Sequence, residues 1–515
     1  MRLDTPFAVV QTPTGPAVVP EPKLALGGSP DGGWAALAWV PALTPDRLGD
    51  PTFLSQFGLR YAYVAGAMAN GIATTDLCIA MAHAGMIGFF GAAGLPTARI
   101  AEAIDRLQAA LPDAPFGADL IHSPADPRQE QETADLYVQR GVTIAGASAF
   151  MGLTPAIVSY RLRGVARSLD GRILPRHRVF AKVSRPEVAD RFLRPAPDRI
   201  LDALVDAGRL TAEEAALGRS LPMCDAIVAE GDSGGHTDQR PLGVLVPLLT
   251  SLRDRVAKET GRGGEIPIGA GGGIGCPAAV ASAFALGAAF VVVGSVHQAC
   301  IESGTSAMVR AMLADADMAD VGLAPASDMF EQGASVQVLQ RGTLYPMRAR
   351  QLHAVWRAYD AWEAIPAEER ARIESGLLRA SFDDVWGRCV DYFSRRDPSQ
   401  LARAEADPRH RMALVFRWYL GQSSRWAIDG DTERRVDAQV WCGPAIGAFN
   451  AWTRGTWLAD PGQRRAVDVA ANLMAGAAAI ARAHILRSQG VDPGPAAFDP
   501  RPRPVRPHRE SRHAP

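Results

Sequence analysis

Ile266-Pro267-Ile268-Gly269-Ala270-Gly271-Gly272-Gly273-Ile274-Gly275 is a short apolar run that passes into a glycine-rich turn, with a helix signal at Pro277. About twenty residues on, Val291-Val292-Val293 leads to Gly294-Ser295 and a second helical stretch. Glycines lack Cβ, so their backbone N–H groups approach a phosphate closely, and a following helix N-terminus adds favourable dipole charge. Either loop alone is an ordinary βα turn. At the ends of two successive strands they point together to a phosphate site on Gly271, Gly272, Gly273, Gly294 and Ser295.

Working outward, from about residue 60 short β-branched or aromatic runs alternate with longer Ala/Leu segments at helical spacing. This is the signature of βα units and a parallel sheet. Eight strands are expected, at Tyr61–Ala65, Met86–Phe90, Phe116–Leu120, Val142–Ala145, Val179–Val183, Ala226–Ala229, Ile266–Ala270 and Phe290–Gly294. Helix-like stretches such as Thr75–His83, Pro96–Leu111 and Gln129–Arg140 follow them. The expected fold is α/β, a (β/α)8 TIM barrel over residues 56–345, whose phosphate loops follow strands seven and eight. A doubly wound sheet is the structural alternative.

Two insertions interrupt the alternation. Residues 160–178 read as a hairpin turning at Asp170-Gly171. Residues 195–220 read as a helical pair, Arg199–Ala207 and Ala212–Arg219, with a cap at Thr211. Residues 1–55 form a small β-rich leader. Residues 346–490 read as an added helical region without strands, its helices at Leu352–Ala364, Pro366–Phe393, Pro398–Ala406, Arg409–Trp418 and Gln463–Ser488. Eight of the ten tryptophans lie between Trp356 and Trp457, which marks this region as distinct. The Pro- and Arg-rich stretch 491–515 reads as a disordered tail.

Composition excludes several classes. The net charge of −1 offers no basic field for nucleic acid or an anionic membrane. The N-terminus carries an acid and a proline where a signal peptide needs an apolar core, and the six cysteines are scattered without a C-x-x-C pair. A cytoplasmic protein with no metal site and no disulfide framework is expected. The longest apolar run, Ala278–Gly294, changes at Gly287 from small helix formers to β-branched residues, as a buried helix and strand would.

Chemistry concentrates at the strand ends. Glu230-Gly231-Asp232-Ser233-Gly234-Gly235-His236-Thr237-Asp238 ends strand six. Gly234 and Gly235 bring backbone against a planar ligand, and His236 projects an imidazole suited to proton transfer near neutral pH. Asp232 and Asp238 are candidates to orient that ring or to cap the loop. Ala65-Gly66-Ala67-Met68 ends strand one with small residues over which a flat group can lie. Lys182 is an inward-facing candidate to neutralise a phosphate. Asp119 ends strand three, in Asp119-Leu120-Ile121-His122-Ser123-Pro124.

This set resembles the flavin barrels of the nitronate monooxygenase (2-nitropropane dioxygenase) superfamily, and within it the PfaD family of trans-acting enoyl reductases. The resemblance spans roughly residues 60–485, through Leu120–Pro124, Ser148–Met151, Asp232–Asp238, Gly294–Cys300, Ala324–Phe330, Phe416–Gly421 and Trp441–Pro444. Asp119 and His297 stand where such barrels carry asparagine. The resemblance implies FMN as cofactor, held by Ala65, Gly66, Ala67, Met68, Asp119, Lys182, Glu230, Ser233, Gly234, Gly235 and the two phosphate loops. It implies NADPH as hydride source, His236 as catalytic residue, and an acyl carrier protein of a polyketide or fatty acid synthase as partner. The helical region would wall an acyl slot and dock the carrier, through residues such as Arg417-Trp418-Tyr419 and Arg425-Trp426. A homodimer is the oligomeric state to examine. The competing readings are a nitronate monooxygenase using oxygen, a phosphosugar or nucleotide barrel without flavin, and a non-catalytic synthase scaffold.

Overall fold

The computed structural model describes residues 2–24, 33–124 and 126–504. The leader is a three-stranded antiparallel sheet of β1 (Phe7–Thr12), β2 (Gly15–Pro20) and β3 (Ala35–Val40), in the order β2-β1-β3. It packs Phe7, Val9, Ala38 and Val40 against the C-terminal end of the long helix Ala466–Ser488. Arg482 on that helix donates to the carbonyls of Arg2 and Thr5, which ties the leader down.

Eight parallel strands then close a barrel: β4 (Tyr63–Ala65), β5 (Ile87–Phe90), β6 (Gly117–Ile121), β7 (Ile144–Ser148), and, after the hairpin β8 (Ala166–Arg167) and β9 (Ile173–Leu174), β10 (Arg178–Val183), β11 (Ala226–Glu230), β13 (Ile268–Gly271) and β14 (Val291–Val293). The short strand β12 (Gly235–His236) lies outside it. All eight expected strands are present, and closure runs through Val291↔Tyr63 and Val292↔Val64. The expected hairpin is narrower than 160–178, because Thr154 caps a helix at Pro155–Leu162 that takes its first residues. The helical pair is present at Asp198–Asp206 and Ala212–Gly218, the second with a full Thr211/Glu214 capping box.

The barrel interior explains why its mouth is polar. Phe53, Phe57, Phe89, Phe180 and Phe290 fill the lower interior, with Phe53 stacked on Phe290 at 4.2 Å. Glycines make room for them: a Cβ on Gly117 would lie 2.4 Å from the Phe89 ring, and one on Gly269 2.3 Å from Phe290. With a side-chain period of two, the next inward positions above Gly117, Phe180 and Val228 are Asp119, Lys182 and Glu230. The aromatic floor closes the bottom, and the charged residues sit at the C-terminal rim.

After the barrel, β15 (Val321–Pro325) and β16 (Ser335–Leu339) pair antiparallel, and β16 also pairs with β12 through Gly235↔Gln337 and His236↔Val336. This small sheet was not expected; its strands are only two to five residues long, and β15 carries Gly322 and ends in Pro325. The helical region follows, with a core of its own from Ala324 to Leu420. Pro366–Phe393 is not one helix. Its chain passes through a π-turn at Ile373–Leu378, Arg379 adopts a left-handed conformation, and Ser381 caps a new helix at Phe382–Arg396. The helix expected at Arg409–Trp418 runs longer, over Pro408–Asp429.

Packing returns the last helices to the barrel. Ala466–Ser488 lies so close to Pro277–Ala285 that a Cβ on Gly476 would meet Pro277 at 2.6 Å. It is the one helix among the described residues long and apolar enough to cross a membrane, and most of its apolar window is buried against the protein. Residues 491–504 are not the expected disordered tail. Trp452 donates to the Pro500 carbonyl, Arg503 N–H bonds Asn472 Oδ1, and Arg487 stacks on Phe498. Proline there breaks the helix but leaves apolar rings to pack. Residues 505–515 lie outside the described residues.

Candidate active site

The two glycine loops form a cradle. Gly272 and Gly273 adopt φ of +87° and +71°, a conformation that turns successive N–H groups toward one side. A Cβ on Gly272 would lie 2.9 Å from the Asp232 carbonyl, so this loop packs directly on the His236 segment. Gly294 precedes the helical turn Ser295–Gln298, and a Cβ there would meet nothing within 4 Å. Among the described residues, none accepts a hydrogen bond from the backbone N–H of Gly273, Gly294 or Ser295. Free donors around open space at a helix start fit a phosphate group. Ser295 Oγ accepts from Gly443 N–H, tying the cradle to the C-terminal segment.

Beneath the cradle, His297 is fully buried and its Nε2 faces the Tyr63 hydroxyl at 2.7 Å. Burial pushes its pKa down to about 4, so the ring is neutral. It braces the Ser295–Gln298 turn against β4, the strand that leads into Ala65–Met68.

Across the rim, Lys182 Nζ lies 3.1 Å from Glu230 Oε1, and Ser233 Oγ donates to the same oxygen at 3.3 Å. Ser148 Oγ donates to Asp119 Oδ1 at 2.7 Å. Burial raises the Asp119 pKa, against the pull of the Lys182 charge and the Ser148 bond. For Lys182, burial works to lower the pKa, but the Glu230 and Asp119 carboxylates outweigh it and the net shift is upward. One lysine thus serves two carboxyl groups.

His236 sits on β12. Its Nε2 is 3.2 Å from Asp328 Oδ1, and its ring stands edge-on to Trp441 at 5.6 Å. A carboxylate oxygen only accepts, so Nε2 carries a proton and Nδ1 is left for exchange; among the described residues Nδ1 has no partner. Burial alone would lower the pKa of His236. The hydrogen bond to Asp328 and the charges of Asp328 and Glu230 overcome it and raise the pKa.

Asp232 and Asp238 do not orient this ring. Asp238 takes a two-pronged contact from Arg185 and a bond from Ser184, which together bring its pKa down to about 2. Asp232 accepts from Gln337 Nε2 at 2.8 Å, which also donates to the Ser233 carbonyl at 2.9 Å. Gln337, on β16, therefore clamps the glycine loop from outside the barrel.

Glycine is required at Gly234, where a Cβ would lie 2.7 Å from Cys442 Cα, and at Gly235, against the Trp441 ring. At both positions the C-terminal segment lies where a Cβ would project. Asp328, Gln337, Trp441 and Cys442 were missed as site residues. The motifs holding Asp328, Trp441 and Cys442 were visible and Gln337 lay in none, and no local spacing ties any of the four to His236.

Besides the Trp441–Gly443 segment, two arginines of the helical region reach the mouth. Arg417 reaches the Asp328 segment, through Ser327 O at 2.9 Å and Glu331 Oε2 at 3.2 Å. Arg396 reaches the loop after β6, at Asp126 Oδ2 (3.4 Å) and the Gln129 side chain. In the barrel order β7 and β10 lie between β6 and β11. These two contacts therefore flank the ends of β7 and β10, and in the loop after β7 Met151 is 51% exposed. Tyr419, expected at a slot, is instead buried with its hydroxyl on Asp437 at 2.7 Å.

Comparison with known proteins matches this architecture. The nitronate monooxygenase family model covers residues 52–353, and that of the inserted helical domain of [acyl-carrier-protein] S-malonyltransferase covers residues 359–438. A polyunsaturated fatty acid synthase subunit of Thraustochytrium sp. is 44% identical over 465 residues, 90% of this chain and 30% of that protein. Polyketide biosynthesis protein PksE of Bacillus subtilis is 39% identical over 433 residues, 84% of this chain and 56% of that protein. The chain thus spans well under two thirds of either relative. The enoyl reductase domain of MlnA, from the macrolactin cluster of Bacillus amyloliquefaciens, superposes with a TM-score of 0.82 at 35% identity, over 86% of this chain and 99% of that one. The chain belongs to the nitronate monooxygenase family of oxidoreductases, in the branch represented by the MlnA enoyl reductase domain.

Proposed function

We propose that this chain is an FMN-dependent, NADPH-driven enoyl reductase, acting in trans on α,β-unsaturated acyl thioesters carried by an acyl carrier protein during polyketide or polyunsaturated fatty acid synthesis. The observation that carries the reading is the His236–Asp328 pair beside a glycine cradle, in a chain with the fold and 35% of the residues of an enoyl reductase domain.

FMN, when bound, supplies the hydride that NADPH delivers and that the substrate Cβ receives. Gly272, Gly273, Gly294 and Ser295 would hold its phosphate through backbone N–H groups. Ala65–Met68 would leave room for its ring, and Lys182 lies where it can balance negative charge. The remaining chemistry is a proton for Cα. His236 is suited to give it, because Asp328 fixes the ring and favours the imidazolium, while Nδ1 is free. The helical region would cover the acyl chain, and basic residues at its rim would steer an acidic carrier protein.

The test pairs two assays on the purified protein. The expected result is a yellow protein that oxidises NADPH without oxygen when given a butenoyl-carrier thioester, yielding the saturated acyl chain. Oxygen consumption with nitronates and no enoyl turnover would make it a monooxygenase instead. A protein that takes up no flavin would favour a phosphosugar barrel or a scaffold.

A further inference from the structure

Asp328 is carried by the connection between β15 and β16. Its backbone bonds are Ala326 N–H to Ala334 O (2.9 Å), which extends the strand pair by one step, and Gly333 N–H to Phe330 O (3.1 Å) and Ala334 N–H to Met329 O (3.3 Å) on the returning side. None of these bonds holds the Ser327–Asp328 peptide. Side chains of the helical region do. Phe330 is fully buried against His353 and Trp356, at ring distances of 5.1 and 5.6 Å. Arg417, on Pro408–Asp429, places Nε on the Ser327 carbonyl and Nη1 on Glu331 Oε2. One guanidinium therefore grips the turn on both sides of Asp328. Glu331 is held in turn by His410 Nδ1 at 2.7 Å, whose Nε2 meets Gln400 Oε1 at 3.0 Å.

We infer that Arg417 is a positioning residue: its fork fixes the Ser327–Glu331 turn so that the Asp328 carboxylate stays on His236 Nε2. The inference rests on the reading of His236 as proton donor and extends it to the helical region. A guanidinium presents two donors in a rigid plane, which an ammonium cannot reproduce. The charged groups facing this assembly are Glu230 and Asp328 around His236, Arg417 beside Asp328, and His410 and Arg403 beside Glu331.

Two roles for Arg417 predict opposite signs. If it clamps, both Arg417→Lys and Arg417→Gln loosen Asp328, and the His236 titration moves down toward that of Asp328→Asn. If it acts only by its positive charge, Arg417→Lys changes nothing, and Arg417→Gln makes His236 more basic.

The experiment is an NMR titration of histidine-labelled, flavin-loaded enzyme, with His236 assigned from His236→Gln, alongside turnover and flavin content. We expect both variants to follow the clamp sign, with kcat falling about tenfold, a fraction of what a general acid supplies, and flavin retained. An unchanged titration in Arg417→Lys, or an upward move in Arg417→Gln, overturns the proposal. Should Arg417→Gln not fold, Arg417→Lys and Glu331→Gln carry the same test. Full turnover in His236→Ala would remove the proton-donor reading alone, since the titration still reports the clamp.

Discussion

His236 Nε2 and Asp328 Oδ1 lie 3.2 Å apart although 92 residues separate them in the chain. The pairing fixes which ring nitrogen bears the permanent proton and leaves the other, Nδ1, without a partner among the described residues. It also favours the imidazolium, so the group stays protonated to higher pH than a free histidine. Turnover should therefore fall as pH rises through this raised value. Asp328→Asn removes the charge that raises it, and the fall should move to lower pH, with about ten- to hundredfold less activity at about pH 8. The pH profile of kcat/KM for the enoyl thioester checks this; superimposable profiles would separate Asp328 from the chemistry.

The cradle offers a clean test at Gly294. Its φ of −116° suits any residue and a Cβ has open space there, so Gly294→Asp should fold normally and set a carboxylate beside the phosphate. Purified Gly294→Asp should be colourless and should melt with the flavin-free wild type. Gly272 is a poor position for this purpose. Its positive φ and the Asp232 carbonyl at 2.9 Å from a Cβ would break the loop whatever charge were added.

Buried His297 makes a prediction about acid. It is neutral in the fold, with its pKa down to about 4. The unfolded chain therefore binds a proton there first as pH drops below the usual histidine range. Stability from this group is present above about pH 6.5 and is lost as pH falls toward 4, by about 3 kcal/mol. His297→Asn should show a shallower loss of stability over that interval than the wild type in denaturant melts. Parallel curves would assign the acid loss to other groups.

An acyl slot walled by the helical region beside the β7 loop predicts a dependence on substrate size. Met151→Asp, on the exposed loop after β7, should cut activity on long carrier-bound enoyl chains far more than on a short enoyl thioester mimic. Equal losses on both substrates, in step with the melting temperature, would mean that this loop and the helices only support the fold.

Packing of the barrel floor leaves no room at Gly269. Gly269→Ala would drive a methyl into the Phe290 ring, 2.3 Å away, and should cost about 1–3 kcal/mol. Trimming the ring as well, in Gly269→Ala with Phe290→Leu, should recover part of that loss. No recovery in the double variant would place the strain in the backbone.

The barrel was legible in the sequence by itself, because parallel strands buried on both faces read as short apolar runs and their helices as longer ones. Gly271–Gly273, Gly294-Ser295 and His236 were legible for the same local reason: each sits where a strand pattern ends. Only the tertiary structure decided what holds them. Asp328 rather than Asp232 or Asp238 partners His236, Gln337 clamps the loop from a sheet of strands two to five residues long, and Trp441 with Cys442 explains Gly234 and Gly235. Such partners come together when antiparallel pairing and helix packing close loops of about one to two hundred residues. That closure leaves no spacing in the chain, because the contacts follow the surfaces that meet and not the order in which residues are joined.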